Sequence, residues 1–306
     1  MSGTGRAEVS VPASSANLGP GFDAMGLAVE LRNTYTFEPA SFDQIEADGK
    51  FAEHVPKDVR RNLAFRAFRS LAPPQAGPYH LHALRHIPAQ GGLGSSASAI
   101  VGGLASANQA FALGLPPAEL LRRAVEIEGH PDNVAPALLG GLVLVVQDGD
   151  ELRWLRLGFP PAIGIVLVVP NYRVPTFRAR QVLPDSVPRA DAVANVGRVA
   201  LFVAALQQER FELLWVATED ALHQPYREPL NPALRPCLQA ALAAEAYGAA
   251  LSGSGPTILA FAPRAKTYAV AGAMGDACLD AGHGCETYVV GPASDGARVT
   301  ANGAEG

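Results

Sequence analysis

A glycine- and serine-rich stretch carries the strongest chemical signal in the sequence. Residues 88–98 read Pro-Ala-Gln-Gly-Gly-Leu-Gly-Ser-Ser-Ala-Ser, and a run of small apolar residues that predicts a helix follows at once. Glycines let a backbone approach a phosphate without an obstructing Cβ, and a helix N-terminus offers free amides and a positive dipole end. A serine hydroxyl at this point can also bind Mg²⁺. The stretch has neither the Gly-Lys-Ser/Thr ending of a Walker A loop nor the Rossmann glycine spacing. A flexible loop is the alternative.

A second group of potential ligands lies at the end of a predicted helix. Four acidic or imidazole side chains follow one another closely in Glu126-Ile127-Glu128-Gly129-His130-Pro131-Asp132-Asn133. A carboxylate that faces the serine of the first stretch would complete a Mg²⁺ site with phosphate oxygens and water. Asp132 could orient an attacking hydroxyl group or accept its proton. Alone, the segment is more typical of a solvated helix end.

Two further turns hold polar residues between glycines. One is Leu251-Ser252-Gly253-Ser254-Gly255-Pro256-Thr257, which separates two apolar segments. The other is the irregular loop that runs from Asn17 to Asp23. Each alone fits an ordinary turn, because glycine, proline, serine and asparagine favour turns for local reasons. All four features in one chain are not easily accidental.

Composition limits the class of protein. The chain has 306 residues, of which 48% are hydrophobic and 17% are charged, so we expect about two domains with buried cores. The net charge of −5 argues against a nucleic-acid partner. The three cysteines have no CxxC spacing, and no apolar run reaches the ~20 residues that span a bilayer. We therefore predict a cytoplasmic protein with no membrane partner.

The elements that position these groups predict an α+β protein. A strand over 6–12 leads into a turn-rich stretch up to Asp23. Further helices are predicted over 62–71, 97–113, 117–128, 190–207, 209–220, 233–246 and 265–281, and strands over 27–37, 81–85, 163–169, 249–252, 256–262 and 284–290. Turn residues near 150–160 predict two domains, 1–155 and 156–306. Residues 291–306 are predicted to be a frayed tail.

The four features, in this order and spacing, resemble the GHMP kinase family, named for galactokinase, homoserine kinase, mevalonate kinase and phosphomevalonate kinase. Residues 88–98 match its phosphate loop, PxxxGLGSS, and Ser252–Pro256 match its third motif. Residues 11–23 and 130–137 have the form found in the homoserine kinase branch. The resemblance covers residues 6 to 290. It implies the two-domain GHMP kinase fold, with a ribosomal protein S5 domain 2-like N-terminal domain, a ferredoxin-like C-terminal domain and a cleft between them.

The resemblance also implies ATP as co-substrate and Mg²⁺ as cofactor. Ser96, or its neighbour Ser95, would hold the metal together with Glu126. Glu126 is preferred to Glu128 because the family's glutamate follows an Ala-x-Glu-Leu/Ile pattern, seen here over 124–127. The expected nucleotide-binding residues are Asn62, Pro88, Ala89, Gln90, Gly91, Gly92, Leu93, Gly94, Ser95, Ser96, Ala97 and Ser98.

The implied acceptor substrate is L-homoserine, which has a carboxylate, an ammonium group and a hydroxyl. Arg180 and Arg227 match family positions for the carboxylate, and a guanidinium can bind a carboxylate through two hydrogen bonds. Gln224 replaces the family's usual glutamate beside Arg227. The other residues implied for the substrate site are Asn17, Asp23, His130 and Gly253, with Asp132, Asn133 and Thr176 at the hydroxyl.

Two alternative functions and one question of assembly stay open at this point. A GHMP enzyme acting on mevalonate or shikimate would also need the arginines, although the form of residues 11–23 and 130–137 argues against it. A GHMP-fold protein without catalysis would be expected to have lost the phosphate loop or the metal glutamate. The family includes many dimers, so a homodimer is the third open question.

Overall fold

A seven-stranded sheet with four helices forms the first layer pair of the molecule. The computed structural model describes residues 5–149 and 151–300. The sheet strands are β1 (Ala7–Ala16), β2 (Met25–Pro39), β3 (Gln44–Asp48), β4 (Tyr79–Leu84), β5 (Leu142–Asp148), β6 (Glu151–Leu157) and β11 (Arg298–Val299). The helices are α1 (Leu63–Leu71), α2 (Ser95–Ala110), α3 (Pro117–Glu128) and α4 (Pro131–Leu139). The strand order is β11-β1-β2-β4-β3, and β5 pairs with the start of β2 and with β6.

Close packing of α1 and α2 follows from small residues in α2. A Cβ added to Gly103 would lie 2.1 Å from the carbonyl oxygen of Ala64, so only glycine allows this approach. In α1 the apolar residues recur with helical spacing, and Phe65 and Phe68 are buried against the sheet. The small-residue helix predicted after the glycine-rich stretch is therefore confirmed as α2. Its close packing against α1 fixes the position of its first turn.

A four-stranded antiparallel sheet forms the second layer pair. Its strands are β7 (Ile163–Pro170), β8 (Gly248–Leu251), β9 (Ile258–Pro263) and β10 (Cys285–Val290), in the order β10-β7-β9-β8. The associated helices are α5 (Thr176–Gln181), α6 (Arg189–Gln207), α7 (Leu214–Ala217), α8 (Gln224–Arg227), α9 (Leu234–Ala243) and α10 (Thr267–Asp280). The strand order 4-1-3-2 with crossover helices is the ferredoxin-like arrangement, as the resemblance to the GHMP kinases implied.

One hydrophobic core is shared by the two halves. Leu18 and Met25 from the first half pack in the same buried cluster as Leu167, Phe202 and Phe261 from the second. Burial of such side chains stabilises the fold by roughly 1.5–3 kcal/mol each. The loop between β1 and β2 therefore sits at the junction of the halves, where both contribute to its position.

Helix α6 is long and apolar enough, by length and composition, to cross a bilayer. Its inner side packs Phe202, Ala205 and Leu206 into the folded chain. On another side Arg198 donates to a carboxylate oxygen of Glu219 at 2.6 Å. Through these contacts one side of α6 packs against the rest of the folded chain. The absence of a membrane partner stays a prediction.

Three sequence predictions differ from the structure. The stretch after Pro12 was predicted to be turn-rich, but β1 continues to Ala16 because Ala13 to Ala16 pair with β2 across an irregularity. The frayed tail over 291–306 is wrong for the described part up to Thr300. Glu30 N donates to Gly291 O at 2.9 Å, and β11 pairs with β1. Residues 301–306 lie outside the described residues. The proposed boundary after residue 155 falls inside β6, two residues before its end.

Candidate active site

A cavity of about 580 Å³ lies between the two halves. We call it the cleft cavity. Its wall is formed by the glycine-rich stretch, the start of α1, the start of α4, the α5 region and the turn at Gly253. All four features selected from the sequence therefore reach one space. The predicted residues that line it are Asn17, Asp23, Asn62, Ala89, Gln90, Gly91, Gly92, Gly94, Ser95, Ser96, His130, Asp132, Asn133, Thr176, Arg180, Arg227 and Gly253.

The glycine-rich stretch is shaped by a close approach at Gly94. This residue is the N-cap of α2 and has φ +64°. A Cβ there would lie 2.0 Å from Ser14 Oγ, so the position requires glycine on two counts. Ser14 in turn donates to Asn133 Oδ1 at 2.9 Å. The start of α2, with its free amides, is thus open to the cleft cavity and favours an anion there.

Hydrogen bonds join the glycine-rich stretch to the third motif. Ser252 Oγ donates to Gly92 O at 2.7 Å, and Thr257 N donates to Gly91 O at 3.1 Å. Gly253 N donates to the carbonyl oxygen of Ala16 at 3.0 Å, at the end of β1. These bonds fix three separate chain segments relative to one another, so motifs that are far apart in the sequence form one site.

Some predicted nucleotide residues do not face the cleft cavity. Leu93, Ala97 and Ser98 are fully buried, so their side chains support the loop and do not line the cavity. Pro88 borders a smaller neighbouring pocket. Asn62 lines the cleft cavity, but its Oδ1 accepts from Phe65 N at 3.0 Å and caps α1. Its Nδ2 donates to Pro56 O at 3.0 Å, so the amide is already engaged on both sides.

The predicted metal ligand Glu126 is wrong in position. Its side chain is exposed and pairs with Arg122 on the outer face of α3. Glu128 instead faces the glycine-rich stretch, and its Oε1 accepts from Ser96 Oγ at 2.5 Å. Burial raises the pKa of Glu128 above its usual range, with Ser96 opposing that effect. A buried carboxylate beside a serine hydroxyl is a donor set of hard oxygens, which fits Mg²⁺.

His130 and Asp132 form a close pair at the start of α4. His130 Nδ1 lies 2.5 Å from Asp132 Oδ1, and Asp132 is 2% exposed. Burial alone would lower the pKa of His130, but Asp132 and Glu128 outweigh it, so the pKa lies above its ordinary value. Pro131 begins the helix, as expected at a first turn. The arrangement holds one carboxylate in a fixed orientation at the cleft cavity.

Two arginines converge on the loop that ends at Asp23. Arg180 donates to both Asp23 oxygens, at 2.8 and 3.0 Å, and Asp23 raises the pKa of Arg180. Arg227 is 2% exposed, and burial lowers its pKa to about 10, with the charge of Arg180 adding to the effect. Both guanidinium groups lie over the ring of Phe22, at 5.7 and 5.3 Å. Thr176 Oγ1 lies 3.4 Å from Ser254 Oγ at the rim.

Asn17 supports this loop from within. Its Nδ2 donates to Gly253 O at 3.0 Å, and its Oδ1 accepts from Asp23 N at 3.1 Å. The residue is 2% exposed and has φ +70°, a conformation that asparagine tolerates. Asn17 therefore connects the first motif to the third, and Gly253 lies where the two motifs meet.

Sequence reasoning missed three residues of the site. The ring of Phe22 stacks on His223 and makes cation–π contacts with both arginines. Arg85 is buried and donates to Ser95 Oγ at 2.6 Å, which engages that serine and leaves Ser96 to face Glu128. His223 lies one helical turn before Arg227. That i,i+4 spacing is the signal that could have found His223, whereas no local pattern marks Phe22 or Arg85.

Comparison with known proteins decides the family. The model of the GHMP kinases N terminal domain matches residues 62–141, and that of the GHMP kinases C terminal region matches residues 202–279. The chain belongs to the GHMP kinase family. It is 42% identical to a homoserine kinase of Carboxydothermus hydrogenoformans over 94% of this chain and 95% of that protein. A homoserine kinase of Synechocystis is also 42% identical, over 95% of this chain and 97% of the relative.

Solved structures of other proteins have the same fold as this GHMP kinase. A homoserine kinase from Cytophaga hutchinsonii superposes with a TM-score of 0.86 at 29% identity, over 96% of this chain and 97% of that one. Mevalonate kinase of L. major in complex with R-mevalonate has a TM-score of 0.71 at 16% identity, over 92% of this chain and 95% of that one. The second likeness shows the fold alone. The homoserine kinases share sequence identity over nearly the whole chain, and the one from Cytophaga hutchinsonii shares the fold as well.

Proposed function

We propose that this GHMP kinase transfers the γ-phosphate of ATP to the side-chain hydroxyl of L-homoserine, giving O-phospho-L-homoserine in threonine biosynthesis. The observation that carries the proposal is the arrangement of the cleft cavity. The glycine-rich stretch lies on its wall, and so do Arg180 and Arg227, while the His130–Asp132 pair lines the same space. The homoserine kinases that are 42% identical over nearly the whole chain support the same reaction.

The nucleotide phosphates are bound by backbone more than by side chains. The seven cavity-lining residues of the glycine-rich stretch surround the start of α2, which attracts an anion through its amides and dipole. The stretch contains no lysine or arginine. Asn62, as the cap of α1, keeps the neighbouring wall in place and faces the same cavity.

Ser96 and Glu128 would hold the Mg²⁺ ion. The fit rests on the 2.5 Å contact between their oxygens and on the burial that makes the Glu128 carboxylate costly to leave unpaired. When bound, Mg²⁺ neutralises charge on the β- and γ-phosphates during transfer. Ser95 is less suited because its hydroxyl accepts from Arg85.

The amino acid would be held by opposite charges at the Phe22 side of the cavity. Arg227 has no ion-pair partner among the described residues, and burial of its charge favours a ligand carboxylate. Arg180 adds a second guanidinium, while Asp23 supplies a carboxylate for the ammonium group. Asn17 and Gly253 keep the walls of this pocket together.

The hydroxyl then meets Asp132, with His130 and Asn133 beside it and Thr176 at the rim. Phosphoryl transfer through a loose transition state depends on positioning and charge neutralisation more than on a strong base. The His130 contact fixes the direction of the Asp132 carboxylate, so it can accept a hydrogen bond from the substrate hydroxyl. A cleft between two halves suits a kinase, because bound substrates displace water from it and so limit hydrolysis of ATP.

An ADP-release assay tests the proposal. The purified protein is given Mg-ATP with L-homoserine, D-homoserine, L-threonine, L-serine, mevalonate or shikimate in turn. Strong turnover with L-homoserine alone is expected. Turnover with mevalonate or shikimate and not with homoserine would contradict the substrate, and ATP binding without turnover of any alcohol would favour a non-catalytic protein.

The remaining expectations concern partners and location. We propose that the enzyme acts in the cytoplasm on free metabolites, without a nucleic-acid or membrane partner. A homodimer is expected because dimers are common in the family. Light scattering after size-exclusion chromatography gives the mass directly. A monomeric mass at micromolar concentration would contradict the dimer.

A further inference from the structure

Behind the two arginines lies a chain of buried polar groups. His223 and the side chain of Asp220 are 0% exposed, and Asn195 and Arg227 are 3% and 2% exposed. A buried polar group is costly unless its hydrogen bonds are made, so such a chain needs a reason. Of its members only Arg227 touches the cleft cavity.

The partners of His223 determine its tautomer. Arg227 Nη1 lies 3.2 Å from His223 Nδ1, and a guanidinium can only donate, so Nδ1 is the acceptor and carries no proton. The other nitrogen, Nε2, lies 2.8 Å from the carbonyl oxygen of Gly19 and must donate to it. Both ring nitrogens are thus used by one neutral form. Burial lowers the pKa of His223, although Asp220 opposes the effect.

Asp220 fixes the segment that carries the histidine. Its Oδ2 accepts from the backbone amides of His223 and Gln224, at 2.8 and 2.6 Å, and so holds the first turn of α8. Its Oδ1 accepts from Asn195 Nδ2 at 2.8 Å. Asn195 also donates to Pro20 O at 3.1 Å, so it bridges this segment to the loop between β1 and β2, beside the direct bond from His223 to Gly19 O.

The remaining contacts of Arg227 leave one edge free. Its Nε donates to Ala179 O and its Nη1 donates to Gly253 O, both at 3.0 Å. Its Nη2 makes no hydrogen bond within residues 5–149 and 151–300. The bonds at Nε and Nη1 set the rotation of the guanidinium plane, and Nη2 remains for a ligand.

We propose that His223 is a positioning residue for the acceptor substrate, whose neutral imidazole couples Gly19 O to Arg227 Nη1 and so directs Arg227 Nη2 toward the substrate carboxylate. The proposal rests on the proposed homoserine kinase function and deepens it. His223 does not itself touch the cleft cavity, so it acts only through Arg227 and the loop that carries Phe22. The opposing view is that His223 only fills space beside Phe22.

Two substitutions separate these views. In His223→Asn the amide oxygen takes the place of Nδ1 and can still accept from Arg227. In His223→Gln the amide reaches the place of Nε2, so it keeps the bond to Gly19 O and loses the one to Arg227. A space-filling role would not distinguish them by chemistry. His82→Gln, at a half-exposed histidine outside the cleft cavity, is the matched control for the substitution itself.

Steady-state kinetics gives the first readout. His223→Gln is expected to raise KM for L-homoserine about tenfold, the loss expected for a hydrogen bond to a charged group, with KM for ATP unchanged. His223→Asn is expected to restore most of that affinity, and His82→Gln to match the wild type. Equal effects of the Asn and Gln variants, or a parallel rise in KM for ATP, would overturn the proposal.

A second readout does not depend on turnover. Long-range ¹H–¹⁵N spectra of the imidazole at pH 7.5 are expected to show a protonated Nε2 and an unprotonated Nδ1, with the Nδ1 resonance shifted in Arg227→Lys. An Nδ1-protonated form or a charged imidazole would overturn the proposal even in an active enzyme. Absence of homoserine turnover in the wild type would count against the proposed function, and the tautomer would then decide the inference by itself.

Discussion

Ser96 Oγ donates to Glu128 Oε1 across the cleft cavity at 2.5 Å, although the two residues belong to different helices. Because the Glu128 side chain is only 10% exposed, the two oxygens would suit a divalent cation. Glu126, two residues earlier, is turned outward to Arg122. The two glutamates therefore form a natural pair of test and control.

We expect Glu128→Ala to lower kcat by about 100-fold or more, since the charge on the transferring phosphate loses its metal. Glu126→Ala is expected to keep kcat within about twofold, because an exposed helix pair contributes little. The measurement is kcat with saturating ATP and homoserine over a range of Mg²⁺ concentrations. A large loss in Glu126→Ala with a normal Glu128→Ala would restore the assignment made from sequence.

Gly94→Ala tests the approach of α2 to Ser14. The added Cβ would lie 2.0 Å from Ser14 Oγ at a positive φ, so we expect a loss of about 2 kcal/mol or more in the free energy of unfolding. Gly77→Ala is the control, since nothing lies within 4 Å of its Cβ position and its φ is not positive. We expect that variant to stay within about 0.5 kcal/mol of the wild type. Denaturant unfolding measures both, and equal stabilities would contradict the steric argument.

Asp132→Asn distinguishes orientation of the hydroxyl from removal of its proton. An amide oxygen can still accept from His130 and from the substrate, so we expect kcat to fall only about tenfold. Asp132→Ala removes both contacts and is expected to cost about 100-fold or more. If the Asn variant is as inactive as the Ala variant, Asp132 acts as a general base. The readout is kcat as a function of pH for both variants.

Stability should depend on pH through His223. Its pKa is lowered by burial, so in the folded protein it stays neutral after the unfolded histidine, with a pKa near 6.5, has gained a proton. Below that value the unfolded state binds the extra proton, and the free energy of unfolding falls as pH falls, by at most about 1.4 kcal/mol per pH unit. The effect ends below the folded pKa.

His223→Asn should remove this part of the dependence. Denaturant unfolding at pH 7.5 and 5.5 is expected to show a larger loss in the wild type than in the variant. The difference between the two proteins isolates His223 from the other histidines. Parallel curves would mean that His223 keeps its proton equilibrium on folding.

The fold was predictable because its signals are local and its motifs are dense. The helix over 117–128 was predicted with its observed bounds, since proline at its start and Gly129 after its end mark both ends. The phosphate loop and the third motif were found from glycine spacing. That both line one cavity followed from the resemblance, since no periodicity in the chain brings residues 92 and 252 together.

The sequence analysis preferred Glu126 to Glu128, although the helical pattern of α3 turns Glu128 toward the cleft cavity. Leu121 and Ala124 form the buried face of α3, and Glu128 continues that face at i+7 and i+4. Glu126 lies on the other face, four residues after Arg122, where an ion pair is expected. The short family pattern favours Glu126, whereas the helical spacing from Leu121 and Ala124 favours Glu128. His223, by contrast, was inconspicuous because its role depends on a carbonyl group more than 200 residues away.

The return of residues 291–299 to the first sheet bears on the order in which the protein can be made. β11 pairs with β1, and Gly291 O accepts from Glu30 N, so the sheet of the first half uses residues translated after the whole second half. A ribosome that has synthesised only the first 157 residues exposes a sheet with one edge still unpaired. The pairing of β1 with β11 and the bond from Glu30 N to Gly291 O can therefore form only after the second half has been synthesised.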